Sequence, residues 1–325
     1  MEPTITRREM IRSTAAGAVA LAAAPALRQS VAAAEKKLEI IDAHVHIWSG
    51  DTKRFPPVAG FNQSDYWFPS YSAEELVAQG RSAGVTRSNL VQMTWYASDH
   101  TYILDVIAKD PDHFVGTGVV PAITDIAGPS PDRVMVDLSK GGIYAFRIRG
   151  KSTRPPCGDQ ERWMSHLGYE KMFKAGAEHR LALSFLMGPS DLPEVDRMCG
   201  KFPDTPIIID HFCLIGRRNN FDEAETEALC RMAEHKNVML KVGAFYALGA
   251  KKPPYLDMLP LIKRVVGAFG AERCMWESDA PLHRAEEGHT FQGSVDIIRK
   301  HASFLSEAQK EQILVKTAED FFFNR

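Results

Sequence analysis

The sequence has few cysteines, and their spacing excludes the sites that paired cysteines build. The 325 residues include five cysteines, and no two of them are spaced as CxxC. A zinc ribbon or a disulfide framework is therefore not indicated. An excess of one charge is also absent, since the formal net charge is -2. A near-neutral chain gives no electrostatic reason to expect nucleic acid or an anionic membrane as partner.

Long hydrophobic runs are missing as well. The uncharged, alanine-rich run at 15–27 is too short for a permanent membrane anchor. It follows Arg7 and Arg8 and leads to small residues at 32–34. This order is typical of a bacterial twin-arginine export signal, with an amphipathic N-terminal helix as the alternative. We expect residues 1–34 to be a signal that the twin-arginine export machinery reads, and the mature protein to be periplasmic.

The remainder, 35–325, alternates short apolar runs with amphipathic ones. No GxGxxG turn follows the first run, which argues against a doubly wound nucleotide-binding sheet. Eight strand candidates alternating with helices predict a single-domain (β/α)8 barrel, or TIM barrel. The candidates are 40–48, 85–93, 114–120, 142–149, 181–187, 206–212, 237–243 and 273–279.

The first strand, "IDAHVHIWSG", carries two histidines. An extended strand sends alternate side chains to the same face. His44 and His46 therefore share a face with Asp42, while Ile41 and Ala43 are expected to pack under the helices. Two imidazoles on one face form half of a metal site. The alternative is a pair of core or surface histidines.

The site of such a barrel forms at the C-terminal ends of its strands. Gln92, which ends strand two, and Tyr246, beyond strand seven, are candidates for substrate binding. Other histidines, such as His100, are expected on the surface. The polar residues that the strand-end rule selects are His44, His46, Gln92, Arg147, Arg149, His211, Lys241 and Asp279.

Four of these residues predict metal-assisted chemistry. His44, His46, His211 and Asp279 offer the imidazole and carboxylate groups that zinc-type ions accept. Such an ion brings the pKa of its water towards neutrality. Asp279 can take the proton of that water during attack on a carbonyl, although alone it is equally a strand-to-loop cap. Lys241 stabilises the developing oxyanion, helps other cations to bind a substrate carboxylate, or pairs with a structural acid.

Arg147 and Arg149 alternate with apolar residues, so both are expected to face the barrel interior. Two buried cations are costly unless an anion meets them. A substrate carboxylate held in bidentate fashion is one answer. An ion pair with Glu277 or Asp42 is the other.

Several of these segments resemble a known family. "DAHVH" in strand one, "IDH" in strand six and "WESDAP" in strand eight resemble the amidohydrolase superfamily, in its amidohydrolase-2 branch. "GIYAFRIRG" and "NVMLKVGA" resemble strands four and seven of its lactonase-type subgroup, which acts on pyrone-dicarboxylate, sulfomuconolactone and sugar lactones. The resemblance implies a barrel hydrolase whose water is activated by Asp279, usually with a bound divalent ion.

The chain also departs from the superfamily pattern. Strand five has no histidine, and strand four has no bridging lysine or glutamate. We therefore expect at most one ion, zinc or manganese, and a metal-free lactonase is the alternative. Glu277 stands where the family more often has a small residue, as an extra ligand, a proton carrier or a buried hydrogen-bonding group.

The sequence thus predicts a hydrolase that opens a small, carboxylate-bearing lactone with water activated by Asp279. The first alternative is a non-oxidative decarboxylase of the same family, against which the missing strand-five histidine argues. The second is a non-catalytic exported barrel that binds a carbohydrate or an anion.

Overall fold

The fold is a ring of eight parallel strands with helices between them. The computed structural model describes residues 39–123, 127–151, 162–282 and 288–325. The strands pair in chain order from β1 to β8, which confirms the predicted (β/α)8 barrel. The predicted signal 1–34 lies outside the described residues. The strands are Ile40–Val45 (β1), Val85–Val91 (β2), Phe114–Gly118 (β3), Ile143–Arg149 (β4), Ala182–Leu186 (β5), Ile207–Ile209 (β6), Val238–Gly243 (β7) and Cys274–Glu277 (β8).

Several helices begin at capping residues that the sequence supplies. Ser72 accepts a hydrogen bond from the Glu75 N–H, and the Glu75 side chain accepts one from the Ser72 N–H. No helix in the described ranges is both long and apolar enough to span a membrane. The helices are Ala73–Gly80 (α1), Thr101–Lys109 (α2), Pro131–Ser139 (α3), Leu167–His179 (α4), Leu192–Lys201 (α5), Glu223–Arg231 (α6), Leu259–Phe269 (α7), Phe291–Asp296 (α8) and Glu307–Glu311 (α9), with further helical turns over Gln312–Lys316 and Glu319–Phe323.

The floor of the barrel is apolar. Ala145, Ala182, Ile208 and Met275 come from four strands and form one buried cluster with Phe322 of the C-terminal segment. Side chains from separate strands meet in this way on the barrel axis. A second, larger cluster holds the alternate strand residues and the helices. The interior near the C-terminal strand ends is thereby left to polar groups.

Strand β1 carries one extra residue between Asp42 and Val45. Over this stretch the pairing advances three positions on β1, from Asp42 to Val45, and two on β2, from Ser88 to Leu90. One extra residue changes which side chains face inward. Ile41 and Ala43 lie in the inner cluster, and the two histidines after the extra residue also face inward. The prediction that Ile41 and Ala43 pack under the helices is therefore wrong.

The barrel closes through backbone contacts between the residues after β8 and the end of β1. The Asp279 N–H donates to His44 O at 3.0 Å, and the His46 N–H donates to Ala280 O at 2.7 Å. Val45 pairs in parallel with Ala280. This seam brings together site residues from the two ends of the barrel sequence.

His100 is buried, which corrects the expectation that it lies on the surface. The residue is 4% exposed, and its Nε2 accepts a hydrogen bond from the Val119 N–H at 3.0 Å. Burial lowers the pKa of His100 to about 4. The folded protein therefore holds a neutral imidazole, and protonation would remove the acceptor that Val119 uses.

We expect His100 to weaken the fold in acid. Its folded pKa lies below the unfolded value of 6.5, so its contribution is complete above pH 6.5 and is lost as the pH falls towards 4. The loss is roughly 3 kcal/mol. His100→Gln keeps an acceptor but does not titrate. The difference in unfolding free energy between wild type and variant, from urea titrations at pH 7 and pH 4.5, should shrink or reverse sign in acid. A constant difference would contradict the assignment.

Candidate active site

Three predicted ligands converge at the seam between β1 and β8. His44 Nε2 lies 3.3 Å from His46 Nε2 and 3.6 Å from Asp279 Oδ1. His46 Nε2 lies 3.3 Å from the same Asp279 oxygen. All three residues are buried. A tetrahedral zinc ion with bonds of about 2.0–2.2 Å has neighbouring ligand atoms about 3.3–3.6 Å apart. The three atoms therefore fit one face of such a site.

The hydrogen bonds of His46 suit this role, whereas Arg147 Nη2 lies 3.1 Å from His44 Nε2 and donates to the nitrogen that an ion would bind. His46 Nδ1 lies 2.9 Å from Val91 O, so it carries the proton and leaves the Nε2 lone pair free. His44 Nδ1 lies 3.2 Å from Glu277 Oε2. Burial, with the cations of Lys241 and Arg147, lowers the pKa of His44 to about 4. A neutral imidazole that faces a carboxylate with one nitrogen is a typical metal ligand.

Asp279 has one occupied and one free carboxylate oxygen. Tyr246 OH donates to Oδ2 at 2.7 Å, whereas Oδ1 is buried and has no hydrogen-bond partner among the described residues. Burial by itself would raise the pKa of Asp279, but the imidazoles of His211, His46 and His44 hold it below its ordinary value. Asp279 is therefore a carboxylate. Its free oxygen Oδ1 forms a triangle of potential ligand atoms with His44 Nε2 and His46 Nε2.

His211 stands beside this triangle and is held by Glu277. Its Nε2 lies 4.0 Å from Asp279 Oδ2, and its Nδ1 lies 2.7 Å from Glu277 Oε1. Burial would lower the pKa of His211, but the charges of Glu277 and Asp279 raise it above its ordinary value. His211 also belongs to a second group, with His44 and Asp210, whose potential ligand atoms all lie within 4.8 Å.

The backbone at two of these residues is strained. Asp279 has φ 58° and His211 has φ 52°, and left-handed values continue through Phe212, Cys213 and Leu214. Each non-glycine residue in this region costs on the order of 1–3 kcal/mol, and such costs concentrate at functional sites. The left-handed turn directs His211 inward directly after Asp210, which an extended strand would not allow.

Lys241 and Arg147 both pair with Asp210 inside the barrel. Lys241 is fully buried, with Nζ 3.0 Å from Asp210 Oδ1. Arg147 Nη2 donates to Asp210 Oδ2 at 3.2 Å, and Ser184 donates to Oδ1 at 2.9 Å. These cations hold the pKa of Asp210 well below its ordinary value against the effect of burial. Lys241 thus pairs with a structural acid, and the anion that Arg147 meets is neither of the two acids expected.

The predicted substrate-binding residues lie around the mouth. Arg149 is exposed and donates to Thr94 Oγ1 at 2.9 Å, so the expectation that it is buried is wrong. Gln92 uses its amide N–H groups on Ala97 O at 3.0 Å and Asp99 O at 2.6 Å. Its buried Oε1 has no described partner. Gln92 is therefore able to accept, but not to donate, a hydrogen bond to a ligand.

These groups open into a cavity of about 650 Å³ at the C-terminal strand ends. Its lining includes His46, Asp279, Tyr246, Arg147 and Arg149. Lys241 and Glu277 are not among the lining residues, which fits hydrogen-bonding and ion-pairing roles behind the site.

Sequence reasoning missed two kinds of site residue. Asp210 ends β6 next to His211, and the strand-end rule applied to "IDH" would have found it. Trp67, Arg217 and Lys251 line the cavity from loops, where no spacing rule identifies them.

Known proteins resemble the chain over most of its length. The amidohydrolase family model (Amidohydro_2) matches residues 41–323. L-fucono-1,5-lactonase of Burkholderia ambifaria is 26% identical over 248 residues, which are 75% of this chain and 81% of that protein. 4-Sulfomuconolactone hydrolase of Rhizobium radiobacter is 22% identical over 281 residues, 84% of this chain and 86% of that one.

A solved structure shows the same fold. It is a probable 2-pyrone-4,6-dicarboxylic acid hydrolase of Acinetobacter baumannii with citric acid bound, 19% identical, with a TM-score of 0.70. The match covers 88% of this chain and 99% of that one. With the family model spanning the whole described barrel, the chain belongs to the amidohydrolase family of hydrolytic enzymes.

Proposed function

We propose that this protein hydrolyses a carboxylate-bearing lactone. The observation that carries the proposal is the free oxygen of Asp279, which lies within 3.6 Å of two imidazole nitrogens below an arginine-lined cavity. A base beside an electrophilic site, with a cation for a remote carboxylate, is the arrangement that lactone opening requires. The lactone-hydrolysing relatives support the same reaction class.

Asp279 handles the proton of the reaction. As the water oxygen forms a bond to the lactone carbonyl carbon, Asp279 Oδ1 accepts the water proton, while Tyr246 holds Oδ2. The tetrahedral intermediate then collapses, and the ring carbon–oxygen bond breaks. The proton on Asp279 passes to the leaving alkoxide. The product is a hydroxy acid, and the carboxylate is restored.

His211 is the candidate for stabilising the developing oxyanion. Glu277 fixes its Nδ1 and raises its pKa, so the ring is able to present an Nε2–H to the cavity. A donor fixed before the reaction stabilises charge without reorganisation. Glu277 acts as a positioning residue, because it holds Nδ1 of His211 and lies against Nδ1 of His44 from behind, and Lys241 holds Asp210 through their ion pair.

His44, His46 and Asp279 would hold one divalent ion. When bound, zinc or manganese supplies Lewis acidity that lowers the pKa of a water and polarises a carbonyl. The described ligand groups share His44, which favours a single ion over a pair.

A lactone panel tests the proposal. Purified protein should release one proton per lactone opened and yield the hydroxy acid, and Asp279→Asn should not. Carbon dioxide release from an aromatic acid without hydrolysis would instead indicate a decarboxylase. Tight binding without turnover would indicate a non-catalytic barrel.

Arg149→Met should raise KM for an anionic lactone about tenfold to a hundredfold, the cost of a charge-assisted hydrogen bond. The KM for a neutral lactone should change far less. Arg264→Met, which removes a cation paired with Glu223 on the outer helices, is the control. Steady-state kinetics on both lactones provide the measurement, and equal losses on both would make Arg149 structural.

We also propose that residues 1–34 export the folded enzyme to the periplasm. Replacing both Arg7 and Arg8 with lysine should leave the protein in the cytoplasmic fraction, while a single Arg28→Lys change should not. Export of the double variant would contradict the twin-arginine assignment.

A further inference from the structure

The extra residue in β1 lies directly before the first histidine of the site. The pairing of β1 with β2 is irregular between Asp42 and Val45, and the peptide that joins Ala43 to His44 lies within this stretch. A bulge of this kind leaves its extra residue unpaired and re-aims a side chain, often beside an active site. Ala43 and His44 are both fully buried. The N–H and C=O of the peptide between them therefore need partners inside the barrel.

Side chains bind both polar groups of this peptide. The His44 N–H donates to Asp42 Oδ1 at 3.1 Å, and Ala43 O accepts from Asn89 Nδ2 at 2.9 Å. Asp42 Oδ1 also accepts from the Ser278 N–H, just after β8, at 2.9 Å. The peptide before His44 is thus held through its N–H by Asp42 and through its oxygen by a side chain of β2.

Asn89 is itself fixed in one orientation. The residue is fully buried, and its Nδ2 donates to Thr117 Oγ1 of β3 at 2.8 Å, while the Thr117 hydroxyl donates to Asn89 Oδ1 at 3.1 Å. Together with Ala43 O, these contacts use both amide N–H groups and the amide oxygen. Asn89 is not among the residues that line the cavity in the described part of the chain. Its influence on the site therefore passes through the backbone of β1.

Strand β2 in this way holds both histidines of β1. His46 Nδ1 lies 2.9 Å from Val91 O, and Asn89 holds the peptide that precedes His44. The orientation of that peptide sets the direction in which the His44 side chain leaves the backbone. His44 Nε2 lies 3.3 Å from His46 Nε2 and 3.6 Å from Asp279 Oδ1. A turn of the peptide would move the imidazole away from both.

We infer that Asn89 is a positioning residue of the active site, which fixes the peptide before His44 and thereby the place of the His44 imidazole. Its effect on turnover rests on the proposed function, whereas its effect on the position of His44 does not. Without the amide, Ala43 O would be a buried carbonyl that has lost its side-chain donor, which is costly. The peptide is then expected to turn towards another donor.

Kinetics on a lactone test the effect on turnover. Asn89→Leu keeps the approximate volume of the side chain but removes the amide. Asn237→Leu is the matched control, because Asn237 Nδ2 also donates to a backbone carbonyl, Thr205 O, but just before β7 at the opposite end of the barrel. Asn89→Leu should lower kcat by about tenfold to a hundredfold, the cost of a misplacement of about 1 Å. KM should change by less than about twofold, since the substrate does not contact Asn89. Equal losses in the two variants, or a loss confined to KM, would overturn the inference.

Thr117→Val gives a milder form of the same test, for use if Asn89→Leu does not fold. It removes the hydroxyl that orients the Asn89 amide and leaves the amide in place. Thr205→Val is its control, because Thr205 is equally buried and its hydroxyl donates to Phe173 O, away from the site. Thr117→Val should lower kcat by about threefold to tenfold. A kcat equal to that of the control would overturn the inference.

Crystal structures of the variants separate failure of this inference from failure of the proposed function, because they need no turnover. In Asn89→Leu, His44 Nε2 should lie at least about 1 Å farther from Asp279 Oδ1 than the present 3.6 Å. In Asn237→Leu the distance should be unchanged. An unmoved peptide and imidazole in Asn89→Leu would overturn the inference even if lactones are hydrolysed. If wild type hydrolyses no lactone but the imidazole moves in Asn89→Leu alone, the positioning role stands and the hydrolysis proposal fails.

Discussion

Replacing Asp279 with asparagine is expected to lower turnover by about 10²–10⁴-fold, with little change in substrate affinity. The amide keeps the size of the side chain and can still accept the Tyr246 hydrogen bond. It cannot take a proton at the position of the free oxygen, which lies 3.3 Å from His46 Nε2. Steady-state kinetics on the best lactone provide the measurement.

Tyr246→Phe is the matched control for this loss. It removes the hydrogen bond to Asp279 Oδ2 but keeps the carboxylate, so its turnover should fall by about tenfold. Metal content and the unfolding midpoint of both variants should be measured beside the kinetics. Near-normal turnover in a folded Asp279→Asn protein would contradict the assignment of the base.

Asp210→Asn should destabilise the fold by about 3–5 kcal/mol, the usual cost of removing one partner from a buried ion pair. The carboxylate lies 3.0 Å from Lys241 Nζ and 3.2 Å from Arg147 Nη2. Without it, two cations remain inside the barrel with no compensating charge. Urea unfolding at pH 7 measures the change in free energy.

Adding Lys241→Met to Asp210→Asn should recover part of this loss, because the fully buried cation is removed together with its partner. Glu223→Gln is the control, since it breaks the exposed pair with Arg264 and should cost less than about 1 kcal/mol. A double variant less stable than Asp210→Asn alone would show that Lys241 is not held mainly by Asp210.

The barrel and most strand-end residues could be predicted because they depend on local patterns. Alternation of apolar runs and helices fixes eight strands, and parallel strands end at one rim. His46, His211 and Asp279 follow directly. The extra residue in β1 could not be predicted, because alternation within one strand says nothing about its register with the next.

Alternation along a strand did not predict which side chains face the barrel interior where the backbone leaves the strand conformation. Alternation sends only one of Asp210 and His211 inward, but the positive φ of His211 turns both towards the site. Asp210 in turn decides the role of Arg147, because Asp210 supplies the negative charge that was expected to come from a substrate carboxylate. The buried position of His100 could not be predicted either. It depends on a hydrogen bond from the Val119 N–H, which belongs to the loop after the next strand.

Hydrolysis of a carboxylate-bearing lactone in water enriched in oxygen-18 tests the central claim most directly. Mass spectrometry of the product after a single turnover should show one oxygen-18 atom, in the carboxylate formed from the lactone carbonyl and not in the new hydroxyl group. That result requires attack of water on the lactone carbonyl carbon, which is the step assigned to Asp279. Label in the hydroxyl group, or release of carbon dioxide without a hydroxy acid, would contradict it.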